Sequence, residues 1–242
     1  MKILVTGVKG QLGYDVMKVL GQRKIECLGA DIEEFDITDA AATTAFIERY
    51  APDAVIHCSA YTAVDRAEDD PALCERVNVD GARNIAAACE KIGAKMVYIS
   101  TDYVFPGTGE QFYETDDPTG PLSVYGKTKL GGELAVRQLL QRDFIVRISW
   151  VFGKNGNNFV KTMLRLAGEG KTPSVVDDQY GTPTYATDLA RALMVLVQRP
   201  GEDMELFHYT DGGETTWYDF AVEIFRQADM PVAVVPVDTA GY

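Results

Sequence analysis

Tyr125 and Lys129 stand four residues apart in Tyr125-Gly126-Lys127-Thr128-Lys129, and upstream the run Tyr98-Ile99-Ser100-Thr101 ends on a hydroxyl. A phenol, an ammonium and an aliphatic hydroxyl are the parts of an acid–base site that acts on a carbonyl. On a helix, a spacing of four puts Tyr125 and Lys129 on one face. A phenol ordinarily titrates near 10, and a cation about 4 Å away at an effective dielectric near 20 is worth up to about 4 kcal/mol, enough to lower it by at most about three pH units. Lys129 is therefore expected to bring Tyr125 toward neutrality, with Thr101 orienting a substrate carbonyl.

The same spacing recurs at Tyr14 and Lys18. The helix that carries this pair has to pack beside a glycine turn, so the pair is expected at the surface.

The glycine turn is the second chemical feature. Lys2-Ile3-Leu4-Val5-Thr6 reads as a buried strand that runs into Gly7, Gly10 and Gly13. Glycines at this spacing allow a sharp turn, a close approach of main chain to a pyrophosphate and tight packing of the next helix, whose first N–H groups, at Gln11, Leu12 and Gly13, are free to meet an anion. The competing reading is an ordinary strand-to-helix turn; the amphipathic run Val16, Val19, Leu20 favours the phosphate cradle. Asp31 lies about twenty residues further on, where a carboxylate that binds a ribose is expected, and Glu33 and Glu34 add charge of the same sign. This favours NADH over NADPH. Lys9 points the other way, either as a cation for a 2′-phosphate or as a solvated lysine.

These residues need a frame to hold them. Strands are expected at Lys2 to Thr6, Ile25 to Ala30, Ala54 to His57, Lys95 to Ser100 and Phe144 to Ile148, with helices near Gln11 to Leu20, Ala40 to Tyr50, Pro71 to Ile92 and Ser123 to Gln141. Asp69 or Asp70 would cap the helix that starts at Pro71. Repeated β-α units imply an α/β fold, a doubly wound parallel sheet of Rossmann type, with ligands beyond the strand C-termini. The dinucleotide-binding domain is expected over residues 1–150. Residues 151–242 have longer polar loops, helices at Ala186 to Gln198 and Thr216 to Gln227, and strands near Glu205 to Tyr209 and Val232 to Val235. They read as a smaller α/β substrate lobe interleaved with the first domain. Lys161 and Arg165, four apart after Asn158-Phe159, could receive a diphosphate or form a solvated basic face.

Composition narrows the function classes. With 242 residues, 46% of them hydrophobic, the chain can bury a large core, and a net charge of −13 argues against a nucleic-acid partner. It has no apolar run long enough for a membrane span, and the charged first turn is unlike a secretory signal, so a cytoplasmic address is expected. Cys27, Cys58, Cys74 and Cys89 form no C-x-x-C pair and have no motif spacing to His57 or His208; reduced, mostly buried thiols and no metal site are expected.

The glycine spacing, Thr101 and Tyr125-x-x-x-Lys129 together resemble the extended short-chain dehydrogenase/reductase superfamily. Within it, Tyr98 to Phe105, Tyr125 to Lys129, Ser149-Trp150-Val151, Asn157-Asn158-Phe159, Asp178 to Thr184 and Thr215-Thr216-Trp217-Tyr218 resemble the dTDP-4-dehydrorhamnose reductase family over nearly the whole chain. The resemblance implies hydride transfer from NADH or NADPH to the C4 ketone of a nucleotide-linked 6-deoxyhexulose, giving dTDP-L-rhamnose. Tyr125 would be the proton donor, Lys129 would hold the nicotinamide ribose, and Thr101 would bond the ketone. It also implies that Asp36-Ile37 meets the adenine, that Ser59-Ala60-Tyr61 runs under the cofactor, and that Asp102, Trp150, Asn158 and Lys161 reach the nucleotide sugar; a plain loop and a core tryptophan are the alternative readings. The alternative functions are a nucleotide-sugar epimerase or dehydratase, and a non-catalytic cofactor-binding regulatory subunit like that of methionine adenosyltransferase. Against a dehydratase, Asp102-Tyr103 stands where that class carries Asp-Glu. The family continues past Tyr242 through an Arg-Arg-Pro-like segment and a last helix, and the chain is expected to act as a monomer or homodimer.

Overall fold

The computed structural model describes residues 1–109, 111–141, 143–199 and 203–241. Its first part runs β1 (Lys2–Thr6), α1 (Gln11–Gln22), β2 (Glu26–Ala30), α2 (Ala40–Tyr50), β3 (Ala54–His57), α3 (Val64–Asp69), α4 (Pro71–Glu75), a π-helical turn (Arg76–Asp80), α5 (Gly81–Ile92), β4 (Lys95–Thr101), α6 (Val124–Leu139) and β5 (Phe144–Ile148). The rest adds β6 (Val151–Phe152), α7 (Phe159–Gly168), β7 (Ser174–Val176), β8 (Tyr180–Gly181), β9 (Thr184–Tyr185), α8 (Ala186–Gln198), β10 (Glu205–Tyr209), β11 (Thr215–Thr216), α9 (Trp217–Gln227) and β12 (Val235–Val237).

One six-stranded sheet, in the order β10-β5-β4-β3-β1-β2, has every neighbouring pair parallel. Parallel strands are buried on both faces, which is why they read as continuous apolar runs. Ile3 and Val5 point to the side covered by α1 and α8, where Val16, Leu20, Leu189 and Leu193 are fully or almost fully buried. Leu4 points to the opposite side, against Ile47 of α2, Ile85 of α5 and Val136 of α6. Strand order reverses between β1 and β3, and the C-terminal ends of those strands open a crevice. A third, smaller core joins α7, α9 and β7 through Met163, Val175, Ala221 and Phe225. No helix among the described residues is long and apolar enough to cross a membrane.

Three elements differ from the sequence reading. The stretch from Pro71 to Ile92 is not one helix: Asp70, rather than Asp69, caps α4, and the π-helical turn separates α4 from α5. The strand Glu205–Tyr209 and helix Ala186–Gln198, assigned from the sequence to the smaller lobe, belong to the large sheet and its α1 face. Local pattern gives a strand's existence but not its partner, and β5 had a free edge for β10 to fill. The last strand lies at Val235–Val237, paired with β7, two residues later than its apolar pattern indicated at one end.

Helix α6 is packed tightly against its neighbours at two glycines. A Cβ at Gly132 would overlap the Tyr98 hydroxyl and stand 2.5 Å from the Asn78 carbonyl oxygen, and one at Gly126 would overlap the Tyr103 carbonyl oxygen. Gly132→Ala is accordingly expected to destabilise the protein by about 1–3 kcal/mol in urea unfolding. Gly21→Ala, where a Cβ meets nothing within 4 Å, is expected to stabilise it by about 0.5–1 kcal/mol. Equal effects of the two substitutions would contradict this packing.

Candidate active site

The crevice begins at the glycine turn. Gly7 adopts φ +70 and its N–H donates to the Ala30 carbonyl at 2.9 Å, tying the turn to β2. A Cβ there would lie 2.7 Å from the Ser59 nitrogen, and one at Gly13 would overlap the Gly7 carbonyl oxygen. Only a chain without side chains at these points can bring β1, the segment after β3 and the start of α1 so close together. Gly10 is the N-cap of α1 and supplies no side-chain acceptor, so the helix presents its first N–H groups to the crevice. The cavity has a volume of about 840 Å³ and is lined by Gly7, Gly10, Gln11, Leu12 and Gly13, then Asp31, Asp36 and Ile37, then Ser59 and Ala60, and at its far end Tyr125, Lys129 and Trp150. A bare-backbone cradle, a helix N-terminus and an elongated cavity fit a dinucleotide whose pyrophosphate sits at the turn.

At the far end, Ser123 caps α6 through the Gly126 N–H and so sets where the helix begins. Tyr125 and Lys129 share its sheet-facing side. Lys129 is 3% exposed; its ammonium donates to the Ile99 carbonyl at 2.7 Å and lies 4.2 Å from the centre of the Tyr98 ring. Burial brings it down to about 7, with Glu133 opposing. Burial also raises Tyr125 above its ordinary value, while a hydrogen bond with the Thr101 side chain acts to lower it. The expected lowering of the phenol by Lys129 is thus corrected: desolvation of the phenol prevails, and the ammonium is engaged by Ile99. Thr101, 5% exposed, donates to Asp102 at 2.9 Å and accepts from the Tyr103 N–H at 3.3 Å. Asp102 titrates at about 6, raised by burial against the Thr101 bond. Tyr14 is 48% exposed and Lys18 is exposed, so the second Tyr-x-x-x-Lys pair lies at the surface.

Other expected residues divide between the crevice and its supports. Asp31 accepts from the Lys9 N–H at 3.0 Å, and the Lys9 ammonium is paired with Glu33. Tyr61 does not line the cavity; its main chain exchanges hydrogen bonds with the Asn78 side chain, 2.8 Å from its N–H and 3.1 Å to its carbonyl. Asn158 and Lys161 also stand outside the lining, as do Thr101 and Asp102, next to the lining residues Tyr103 and Tyr125. Asn158 caps α7 and donates to the Gln11 side chain at 3.0 Å, while the Lys161 ammonium donates to the Gly156 carbonyl and Arg165 pairs with Glu169. Trp150, at φ +44, stacks on Trp217 with ring centres 3.5 Å apart, and both line the crevice. The stretch Asp178 to Thr184 packs on Trp150: a Cβ at Gly181 would lie 2.5 Å from the indole, and the Thr184 N–H donates to the Trp150 carbonyl.

Comparison with known proteins agrees with this geometry. The family model described as RmlD substrate binding domain matches residues 1–242. A dTDP-4-dehydrorhamnose reductase of Streptomyces griseus is 43% identical over 227 residues, 92% of this chain and 75% of that protein. The spore coat polysaccharide biosynthesis protein SpsK of Bacillus subtilis (strain 168) is 39% identical over 241 residues, all of this chain and 84% of that protein. The crystal structure of dTDP-4-dehydrorhamnose reductase from Bacillus anthracis str. Ames in complex with NADP superposes with a TM-score of 0.96 at 40% identity, covering 100% of this chain and 86% of that one. The chain belongs to the RmlD family.

Two supports of the RmlD site in this chain escaped the sequence reading. Asn78, in the π-helical turn, bonds Tyr61 as well as the Thr128 hydroxyl, 3.1 Å away, and so ties the segment under the cavity to α6. Such turns favour functional positions because they push one side chain out of helical register. Trp217 sat within a recognised motif but had no role until Trp150 was found against it. Since these are the chain's two tryptophans, the protein should show a far-ultraviolet exciton couplet in circular dichroism that disappears in both Trp150→Phe and Trp217→Phe. A couplet that survives either change would contradict the stack.

Proposed function

We propose that the chain reduces the C4 ketone of dTDP-4-dehydro-L-rhamnose to dTDP-L-rhamnose with a reduced nicotinamide dinucleotide, and that Thr101, Tyr125 and Lys129 carry the chemistry. The single observation behind the residue roles is that one crevice runs from the bare Gly7–Gly13 turn to the Tyr125 phenol. When bound, the reduced nicotinamide supplies the hydride. Burial keeps Tyr125 protonated through neutrality, which suits a group that gives its proton to an alkoxide as charge develops there. The Thr101 hydroxyl, bonded to Tyr125 and donating its one proton to Asp102, orients the phenol, and it would turn that proton from Asp102 to the ketone oxygen when substrate binds. Lys129 uses one of its three donors on Ile99 and has two left for a ribose in the crevice. The stacked pair Trp150 and Trp217 forms an apolar part of the crevice wall for the sugar nucleotide.

A dehydratase is disfavoured by a particular contact. Tyr103, where that class places an acid, meets the Tyr125 ring edge-on with centres 5.6 Å apart. A non-catalytic regulatory role is disfavoured by the intact Thr101, Tyr125 and Lys129. The workplace is the cytoplasm, and the enzyme acts as a monomer or homodimer.

For the cofactor the reading leans to NADH. Lys9 is neutralised by Glu33, and Asp31 and Glu34 leave the ribose end of the cavity negative, an unfavourable place for a 2′-phosphate. Catalytic efficiency with NADH should exceed that with NADPH several-fold, and Glu33→Gln should narrow the gap by releasing Lys9; a preference of the unmodified chain for NADPH would contradict the argument. Tyr125→Phe should lose about 10²- to 10⁴-fold in ketosugar reduction with cofactor affinity retained, and an undiminished rate would remove Tyr125 from its role.

A further inference from the structure

Tyr125 and Lys129 are the first two members of a series. Glu133 follows at the same interval, so the three side chains stand on one face of α6. Glu133 is 1% exposed, a costly location for a carboxylate. It is held from the sheet side: Arg147 donates from Nε at 2.9 Å and from Nη2 at 2.8 Å, and Ser100 from Oγ at 2.5 Å. Ser100 and Arg147 are register partners on β4 and β5, 2% and 5% exposed, and the guanidinium lies 4.9 Å from the centre of the Phe105 ring. Replacing a buried ion pair by apolar residues of similar size is often neutral or stabilising, so stability gives little reason for its presence. Its place beneath Lys129 gives a better one.

We infer that Glu133 is a positioning residue that acts through Lys129: clamped by Arg147 and Ser100, it fixes the α6 face that carries Tyr125 and sets a negative charge one turn from the Lys129 ammonium. The inference rests on the reading of Lys129 as part of the reductase site. The titratable groups facing Lys129 are Tyr125 and Glu133 from α6, His57 from β3, Cys58 just after it, Cys74 from α4 and Tyr98 from β4. Burial keeps His57 neutral, titrating at about 3, pushes the Cys58 thiol up to about 12, and raises both phenols. Cys74 is a buried thiol 3.2 Å from the Thr128 hydroxyl. Glu133 is therefore the carboxylate among them, and it is the leading group that counters the burial of Lys129. Arg147 is the cation paired with that carboxylate, and its charge offsets part of the attraction that Glu133 exerts on Lys129.

The test is a carbon NMR titration of the full chain labelled at lysine Cε, with the Lys129 resonance identified by its loss in Lys129→Met. Glu133→Gln should lower the Lys129 titration by about one pH unit, a tenfold loss of proton affinity. Glu133→Asp should restore most of it. Because Glu133→Gln leaves Arg147 unpaired and could prevent folding, the double variant Glu133→Leu with Arg147→Met provides a second arm that is free of buried charge and should show a smaller fall in the same direction. Ketosugar reduction gives an independent signature. A group titrating at about 7 that falls to about 6 goes from about half to about one-tenth protonated at pH 7, so kcat/KM drops about fivefold there and by less than about a third at pH 5.5. A Lys129 titration unchanged in the folded double variant, with an equal activity loss at both pH values, would overturn the inference and leave Glu133 a structural filler. If the unmodified chain failed to reduce the ketosugar, the proposed reaction would fall while the titration still decided the role of Glu133.

Discussion

An ammonium held almost dry is the constraint around which the rest is built. Lys129 can sit beneath the crevice only because the Ile99 carbonyl, the Tyr98 ring and the nearby carboxylate of Glu133 replace the water it lost. Each partner makes its own demand. The Tyr98 hydroxyl must reach the main chain of α6, which it does at the Lys129 carbonyl, 3.3 Å away, and that approach leaves no room for a side chain at Gly132. Glu133 needs Arg147 and Ser100 on two neighbouring strands. The position of Tyr125, one turn earlier on the same helix, follows from the sum of these requirements.

The other half of the crevice is governed by the opposite principle. There the structure removes side chains instead of burying charges, so that backbone donors at the start of α1 face the cavity without obstruction. The two halves meet because parallel strands deliver both the Gly7 turn and the Thr101 end to the same edge of the sheet, on either side of the point where strand order reverses. The bare Gly7 turn and the Tyr125 phenol are thereby held at one edge of the sheet, as the proposed reaction requires. The smaller core around Met163 and Phe225 supports the wall that carries Trp217.

Much of this was legible in the sequence, for identifiable reasons. Strands buried on both faces leave apolar runs, and a cap such as Asp70 before Pro71 marks a helix start, so the Rossmann-type sheet and the face shared by Tyr125 and Lys129 could be read directly. What could not be read depended on the third dimension. Nothing local says that β10 pairs with β5, that Asn78 leaves helical register, or that Glu133 and Arg147, fourteen residues apart, form an ion pair. The electrostatic reading of Tyr125 went astray for a related reason: spacing gives the Coulomb attraction of a neighbouring lysine, but the desolvation that outweighs it is visible only once the walls of the crevice are in place.

The central claim is that a hydride and a proton reach one ketone at the end of this crevice. Its most direct test is to run the reaction with NADH carrying deuterium at the transferable position and locate the label in the sugar product by NMR. The account predicts one deuterium on C4, with none arriving there from deuterated solvent when unlabelled cofactor is used. Product with no cofactor-derived deuterium on C4, or C4 label taken from solvent, would contradict it.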